Sequence, residues 1–444
     1  MKLDPQLLRL DGMYQQKGAD RYMQRIKVPA GALSAEQALK VAALAERHAG
    51  GRLHLTTRGS IELHDIAGAD LPAVQRGLAA VGLTGRGACG GAVRGVSCST
   101  VFGPRYRESQ ALARKLHGHF AGNPWFEGLP KKFKIGVDGD YGGARHLIQD
   151  FGLVFAAEDG DRRCWDVWCA GGLGREPRAA FLLANRVPEQ RLLPLIEAVL
   201  RVYRQHAPKG RRLKHVVAEI GEKAFRDLLR DQTKDTPPPP PTAETGLGQT
   251  LNEVPAGAGG PLYVRIFAGE LSARALRALA TAAGEFADGA LAITADQDLA
   301  FLPASQAARR PLAAALAVAG FDGEEAGQRL ACRICPGSHE CKMGLAPTRE
   351  IGRWLAALPE NLRDSFWAVS GCPNACSQPQ LAEFGIVSAR LVKEADGSLA
   401  PRFNLLRRSG EGLGEVVSAD LDLAGLQAAI LALADESNAE PMTV

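Results

Sequence analysis

The sequence predicts an α+β protein made by duplication, a two-domain unit A-B followed by a second copy A′-B′, with a pseudo-twofold relation between the halves. Three observations carry that prediction. The segment Leu33–Leu63 reappears without a gap 238 positions later as Leu271–Phe301, keeping Leu-Ser-Ala, a glycine ahead of a strand, and a Leu-x-Leu-Thr or Leu-x-Ile-Thr alternation. A second pair also repeats: Lys134-Ile-Gly-Val-Asp-Gly139 followed by Gln149-Asp-Phe-Gly-Leu153 parallels Trp367-Ala-Val-Ser-Gly371 followed by Ala382-Glu-Phe-Gly-Ile386. Between the halves, residues 231–260 carry five consecutive prolines, Pro237 to Pro241, and no amphipathic period, which marks a crossover linker.

In chain order, each A copy reads as strand, helix, strand. The first strand is Tyr22–Val28 or Tyr263–Phe267, Ser34 or Ser272 is the N-cap of the helix, and the second strand is Leu53–Thr57 or Leu291–Thr294. The boundaries that follow are 1–83 for A, 84–230 for B, 231–260 for the linker, 261–327 for A′ and 328–444 for B′. The copies have diverged in chemistry. Thr57-Arg58 in the first stands where the second has Ala295-Asp296, and Cys372 in the second stands where the first has Asp140. One half therefore supplies cations and the other supplies thiolates, and an inter-half cleft is the expected site.

Composition narrows the function classes. With 53 Lys+Arg against 49 Asp+Glu, the net charge of +4 is thin for 444 residues and argues against a nucleic-acid binder. The N-terminal 25 residues show neither a signal-peptide nor a transit-peptide pattern, and no run of ~18 apolar residues spans a bilayer, so the chain reads as soluble and cytoplasmic with no membrane partner. Five of the nine cysteines fall between Cys332 and Cys376, and the odd total suits metal ligation in a reducing compartment better than disulfides.

Cys335-Pro-Gly-Ser-His-Glu-Cys341 and Cys372-Pro-Asn-Ala-Cys376 give C-x5-C, some thirty residues, then C-x3-C. Four thiolates from two loops suit a 4Fe-4S cluster, which needs one Cys per iron and tolerates varied spacing. Structural zinc, whose usual pairs are spaced C-x2–4-C, and inert buried thiols are the alternatives, and Cys332 is a fifth thiol able to substitute as ligand. Cys89, Cys98, Cys164 and Cys169 read as spectators.

Ser370-Gly-Cys-Pro-Asn-Ala-Cys376 followed by Glu383-Phe-Gly-Ile386 resembles the signature of the nitrite and sulfite reductase family, which holds sirohaem coupled to a 4Fe-4S cluster. Three further segments carry the resemblance through the chain. Leu55-Thr-Thr-Arg-Gly-Ser-Ile-Glu-Leu-His64 is similar to the family's TTRQ-x-x-Q-x-H, Ala88-Cys-Gly-Gly-Ala-Val-Arg94 to its CGDNVRN, and Leu129-Pro-Lys-Lys-Phe-Lys134 to its LPRKFK. The resemblance implies two ferredoxin-like half-domains alternating with two sirohaem/4Fe-4S α/β domains. It implies Cys335, Cys341, Cys372 and Cys376 as cluster ligands, with Cys376 bridging to the sirohaem iron, and Thr57, Arg58 and Arg94 among the cofactor contacts. Arg58, Arg94, Lys132 and Lys134 would surround a small oxyanion, binding it and delivering protons. Strand alternation is consistent with Lys132 and Lys134 sharing one face with Phe133 on the other.

Departures accompany the match. Gly59 and Glu62 replace the family's glutamines, Gly90-Gly91-Ala92 replaces its Gly-Asp-Asn run, and a carboxylate at Glu62 is unfavourable near an anion unless it faces away or pairs with an arginine. His64 and His339 read as structural hydrogen-bonding residues, and Arg175 and Arg178 as residues that either pair with macrocycle carboxylates or belong to an ordinary loop. Sulfite reductases resemble Lys-Phe-Lys at 132–134 where plant-type nitrite reductases have an asparagine at the last position, and a second lysine suits a dianion. Sulfite reduction is therefore expected, with nitrite reduction, a precorrin-3B synthase-like monooxygenase and a cluster-bearing electron carrier as alternatives. Gly171-Gly-Leu-Gly174 lacks the strand-turn-helix context of a dinucleotide site, so electrons come from a separate ferredoxin or flavoprotein.

Overall fold

A computed structural model describes residues 5–18, 20–98, 101–103, 105–160, 162–232, 260–321 and 331–439. The proline-rich linker expected at 231–260 lies almost wholly outside the described residues. The chain divides into two compact units. The first holds residues 1–172, 178–264 and 271–323, and the second holds residues 173–177, 265–270 and 324–444.

Within the first unit the repeat is visible strand by strand. Ser34 caps the helix Ala35–His48 with a full capping box, its Oγ accepting from the Gln37 N–H while the Gln37 side chain accepts from the Ser34 N–H. Ser272 caps Ala273–Phe286 with its side chain alone, accepting from the Ala275 N–H (3.1 Å). The two half-domains exchange strands. Ala32–Ser34 joins the sheet of the second copy, pairing antiparallel with Ala290–Ile293, and Glu270–Ser272 joins the sheet of the first copy beside Arg52–Leu55. Reciprocal bonds seal the exchange: Ala35 N–H donates to Gly289 O (2.7 Å) and Ala273 N–H to Gly51 O (2.8 Å).

The rest of the first unit is a five-stranded sheet in the order Phe181–Pro188, Arg162–Cys169, Phe151–Asp159, Ile135–Asp138, Ser97–Cys98, with the last three parallel and the others antiparallel. Tyr106–Phe120 and Glu189–His206 bury their apolar faces against it, through Leu112, Leu116, Ile196 and Tyr203 among others. The second unit repeats this topology. Cys332–Ile334, Trp367–Ser370 and Phe384–Lys393 run parallel, and Leu399–Arg407 and Glu415–Leu421 follow antiparallel. Its core is built on Trp367, which stacks on Phe384 (4.8 Å between ring centroids) and donates its indole N–H to Leu362 O (2.7 Å).

Candidate active site

In the second unit, the cysteine loops leave the C-terminal ends of the parallel strands Cys332–Ile334 and Trp367–Ser370. The loops are pressed together, and glycine makes that possible. A Cβ on Gly371 would stand 2.7 Å from the Gly337 Cα, and one on Gly344 would stand 2.0 Å from the Gly337 carbonyl oxygen. Gly371 N–H donates to the Cys335 sulfur (3.1 Å), Leu345 N–H to Gly371 O (2.7 Å), and Ser370 Oγ bonds Ser377 Oγ (2.7 Å), which ties both ends of the Cys372–Cys376 loop.

The result gathers Cys335, Cys341, Cys372 and Cys376. Burial, then the neighbouring Cys376, pushes the Cys335 thiol up, and the same two causes followed by Cys341 push Cys372 up to about 11. Thiols crowded in this way resist ionising together unless a cation sits among them, so the donor set fits an iron–sulfur cluster. Cys332 is placed differently: its side chain packs against the core of Ile334 and Trp367.

The cations lie in the first unit. Arg58 stands in a turn from Thr56 to Ser60 that the second copy reproduces at 294–298. Thr56 Oγ1 accepts from the N–H of Arg58 (3.4 Å) and Ser60 (3.1 Å), and Thr294 Oγ1 from those of Asp296 (3.2 Å) and Asp298 (3.1 Å). Gly59 (φ 63°) and Gln297 (φ 70°) occupy the same left-handed position. The charge is inverted between the copies, and Asp296 pairs with Arg145 (2.6 Å). Thr57 is buried in the Arg58 turn.

The Arg58 guanidinium donates to Gln149 Oε1 (2.9 Å), Gly95 O (3.0 Å) and Ile135 O (3.2 Å). Burial lowers its pKa to about 10, and Arg94, Arg212 and Arg25 reinforce the shift against the pull of Asp150. Arg94 is held by its backbone N–H on Phe133 O (2.8 Å), and burial depresses its guanidinium; its Nη1 is buried without a hydrogen-bond partner. Phe133 is fully buried on one side of its segment, while burial, Lys132, Arg58 and Arg212 push the Lys134 ammonium well below its ordinary range. Arg58, Arg94, Lys132 and Lys134 therefore form one electrostatic cluster.

Sequence reasoning missed several members of this cluster. Arg25 lies near the end of the strand Arg21–Ile26 and Lys27 follows just beyond it; Lys27 is buried and shifted down to about 7 by burial and then by Arg94. Arg212 enters from beyond the sheet and pairs with the fully buried Asp150 (2.7 Å), which also accepts the Lys134 N–H (2.9 Å). Cys89, read as a spectator, accepts from Arg25 Nη1 (3.8 Å) and stands beside Tyr14 and Arg94. The spacing Arg25-x-Lys27 beside Ile26 and Val28 was the available signal. Cations in such excess, with Lys27 and Arg212 buried and an Arg94 nitrogen unsatisfied, fit a polyanionic group such as a carboxylate-rich macrocycle together with an oxyanion.

His64 bridges Gln16 and Glu62, and His339 pairs with Glu350 (2.8 Å), both in hydrogen-bonding roles. Arg175 and Arg178 are exposed, and the backbone of Arg178 closes a two-residue bridge with Gly172. No helix among the described residues is long and apolar enough to cross a membrane.

Fold and cysteine set together fit the class of oxidoreductases that carry an iron–sulfur centre. The family described as "Nitrite and sulphite reductase 4Fe-4S domain" matches residues 89–236, and the "Nitrite/Sulfite reductase ferredoxin-like half domain" matches residues 14–81 and 257–319. The chain belongs to the nitrite and sulfite reductase family. A sulfite reductase [ferredoxin] of Mycolicibacterium paratuberculosis is 26% identical over 89% of this chain and 74% of its own length. The ferredoxin–nitrite reductase of Synechococcus elongatus is 27% identical over 84% of this chain and 77% of its own length. The sulfite reductase [NADPH] hemoprotein beta-component of Nitrobacter hamburgensis is 28% identical over 86% and 78%. The fold is shared with the solved structure of Mycobacterium tuberculosis NirA protein, with a TM-score of 0.77 and 23% identity over 94% of this chain and 82% of that one. The protein is an enzyme of a family that reduces sulfite or nitrite, and the electron-carrier alternative falls away.

Proposed function

We propose that the chain reduces sulfite to sulfide in a six-electron reaction, using a 4Fe-4S cluster held by Cys335, Cys341, Cys372 and Cys376 together with sirohaem, and taking electrons from a separate ferredoxin or flavoprotein. The observation that carries the reading is Lys134. Its ammonium stands half-buried beside Lys132, Arg58 and Arg212 and is pushed toward losing its proton. An entering anion restores the charged form, and a dianion does so with twice the energy of a monoanion. A lysine poised in this way holds a proton where oxygens must leave as water.

The other residues divide the work. Arg58 has three of its five N–H donors committed to Gln149 and two carbonyls, so it acts chiefly as a fixed positive charge. Arg94 has a donor to spare at Nη1 and is suited to hydrogen-bond the anion directly. Lys132 and Lys134 supply protons, while Asp150 orients Arg212 and anchors the Lys134 backbone. Sirohaem and the cluster, when bound, would relay the donor's electrons to the oxyanion. Fixed charges in a buried site need no reorganisation as charge shifts during reduction.

Anaerobic steady-state rates with a reduced dye, measured on sulfite and on nitrite, test the proposal. Faster turnover on sulfite is expected, and faster turnover on nitrite reverses the substrate assignment.

A further inference from the structure

Glu62 is a carboxylate set among the buried cations of the first unit. Its position follows from strand geometry: in the antiparallel pair Arg52–Leu55 and Ile61–Ala67 it stands directly opposite His54, it shares a face with His64 two residues on, and on its other side it is the register partner of Arg25. Arg25 donates to Glu62 Oε1 through Nε (2.9 Å) and Nη2, while Oε2 faces His64 Nε2 (3.3 Å) and His54 Nδ1 (3.8 Å).

The ligand atoms of His54, Glu62 and His64 lie within 4.8 Å of one another, a spacing that a metal ion accepts. The surrounding amides assign them another role. Gln16 Oε1 accepts the Asp65 N–H (2.7 Å), so its NH2 group faces His64 Nδ1 (3.1 Å). The Gln297 NH2 group donates to Leu55 O (3.0 Å) and faces His54 Nε2 (3.2 Å). Each imidazole is an acceptor at its outer nitrogen, and its proton stands on the nitrogen that faces Glu62. A metal would need lone pairs where this network puts N–H groups. Burial raises the Glu62 carboxyl, but Arg25 and His64 outweigh it and hold the group well below the usual carboxylate range. Glu62 is a permanent negative charge.

We propose that Glu62 is a specificity-determining residue, whose charge lowers the affinity of the cationic cluster for dianions more than for monoanions. Arg25, the residue it pairs with, is electrostatically coupled to both Arg58 and Arg94. The inference rests on the anion-binding role of the cluster given under Proposed function, and not on which anion is reduced. Repulsion by a fixed charge scales linearly with ligand charge, so the factor gained by a dianion on removing Glu62 is the square of the factor gained by a monoanion.

The experiment titrates the purified holoprotein with sodium sulfate and with sodium nitrate by calorimetry at fixed ionic strength. For Glu62→Gln, a tightening of ~3-fold for nitrate and ~10-fold for sulfate is expected. Glu62→Asp keeps the charge and is expected to leave the ratio of the two constants within about twofold of wild type. Equal gains on both anions, no gain on either, or no binding of either anion by wild type and variant overturns the proposal. If Glu62→Gln does not fold, Arg25→Gln compared with the Arg25→Gln/Glu62→Gln double variant repeats the test without the pair's hydrogen bonds, and the same squared relation is required. Wild type that binds both anions yet reduces neither sulfite nor nitrite removes the functional reading alone; a Glu62→Gln variant that binds both as wild type does removes this inference alone.

Discussion

Asp150→Asn tests how the cationic cluster is held. Asp150 is 0% exposed, accepts from Arg212 Nη2 at 2.7 Å and from the Lys134 N–H at 2.9 Å, and Arg212 is itself 4% exposed. The asparagine keeps the shape and can still accept one bond, but it leaves a buried guanidinium without a counter-charge beside Arg58 and Lys134. Breaking a buried pair in this way costs ~3–5 kcal/mol, which for a unit of this size lowers the melting temperature by roughly 5–8 °C. The same substitution raises the net positive charge of the cluster, so sulfate should restore more stability to the variant than it adds to wild type. Thermal unfolding followed by circular dichroism, with and without sulfate, measures both effects. A loss under ~1 kcal/mol, or equal sulfate stabilisation of variant and wild type, would show that Asp150 is not the counter-charge of this cluster.

Replacing Cys335, Cys341, Cys372 or Cys376 with Ser is expected to remove iron and acid-labile sulfide, whereas Cys332→Ser should keep both; metal and sulfide analysis of the five proteins decides the ligand set. Lys134→Asn should lower sulfite reduction by ~100- to 1000-fold and nitrite reduction by less, at unchanged cofactor content, and equal losses would make Lys134 a general anion clamp. Lys27 has a folded pKa of about 7 against 10.5 when unfolded, so the unfolded chain binds more protons between those values and stability rises with pH across that window. Its destabilising effect is fully present below pH 7 and fades toward pH 10.5. Lys27→Met should therefore gain roughly 2–4 kcal/mol at pH 7 and progressively less by pH 10, as read from denaturant midpoints, and a gain independent of pH would contradict the account.

The parts of the molecule that sequence made legible are those where chemistry restricts residue type. Only cysteine serves a cluster at these spacings, and Ser34 and Ser272 announce their helices because few residues cap so well. Phe133 is buried and Lys132 and Lys134 are not, as the alternation implied, although the strand itself begins only at Ile135. The strand exchange was not legible: Ala32–Ser34 and Glu270–Ser272 are three-residue strands whose partners are chosen by tertiary packing, and nothing local distinguishes pairing with one copy from pairing with the other. Arg25, Lys27 and Arg212 escaped notice because an arginine or lysine in a short strand or a loop reads as solvated until the fold buries it. The alternatives left open for Glu62, facing away or pairing with an arginine, were settled by its register partner Arg25, a long-range pairing that no local pattern contains.

The central claim is that one chain carries a 4Fe-4S cluster and sirohaem to reduce a small oxyanion. The most direct test is the visible spectrum of the protein purified from cells with sirohaem synthesis intact, together with its iron, sulfide and extractable pigment, recorded before and after adding sulfite. The account predicts about five irons and about four acid-labile sulfides per chain, an extractable sirohaem, and a haem spectrum that changes with sulfite. Iron–sulfur absorbance with no extractable tetrapyrrole and no response to sulfite would contradict it and favour a corrin precursor as the substrate of this site.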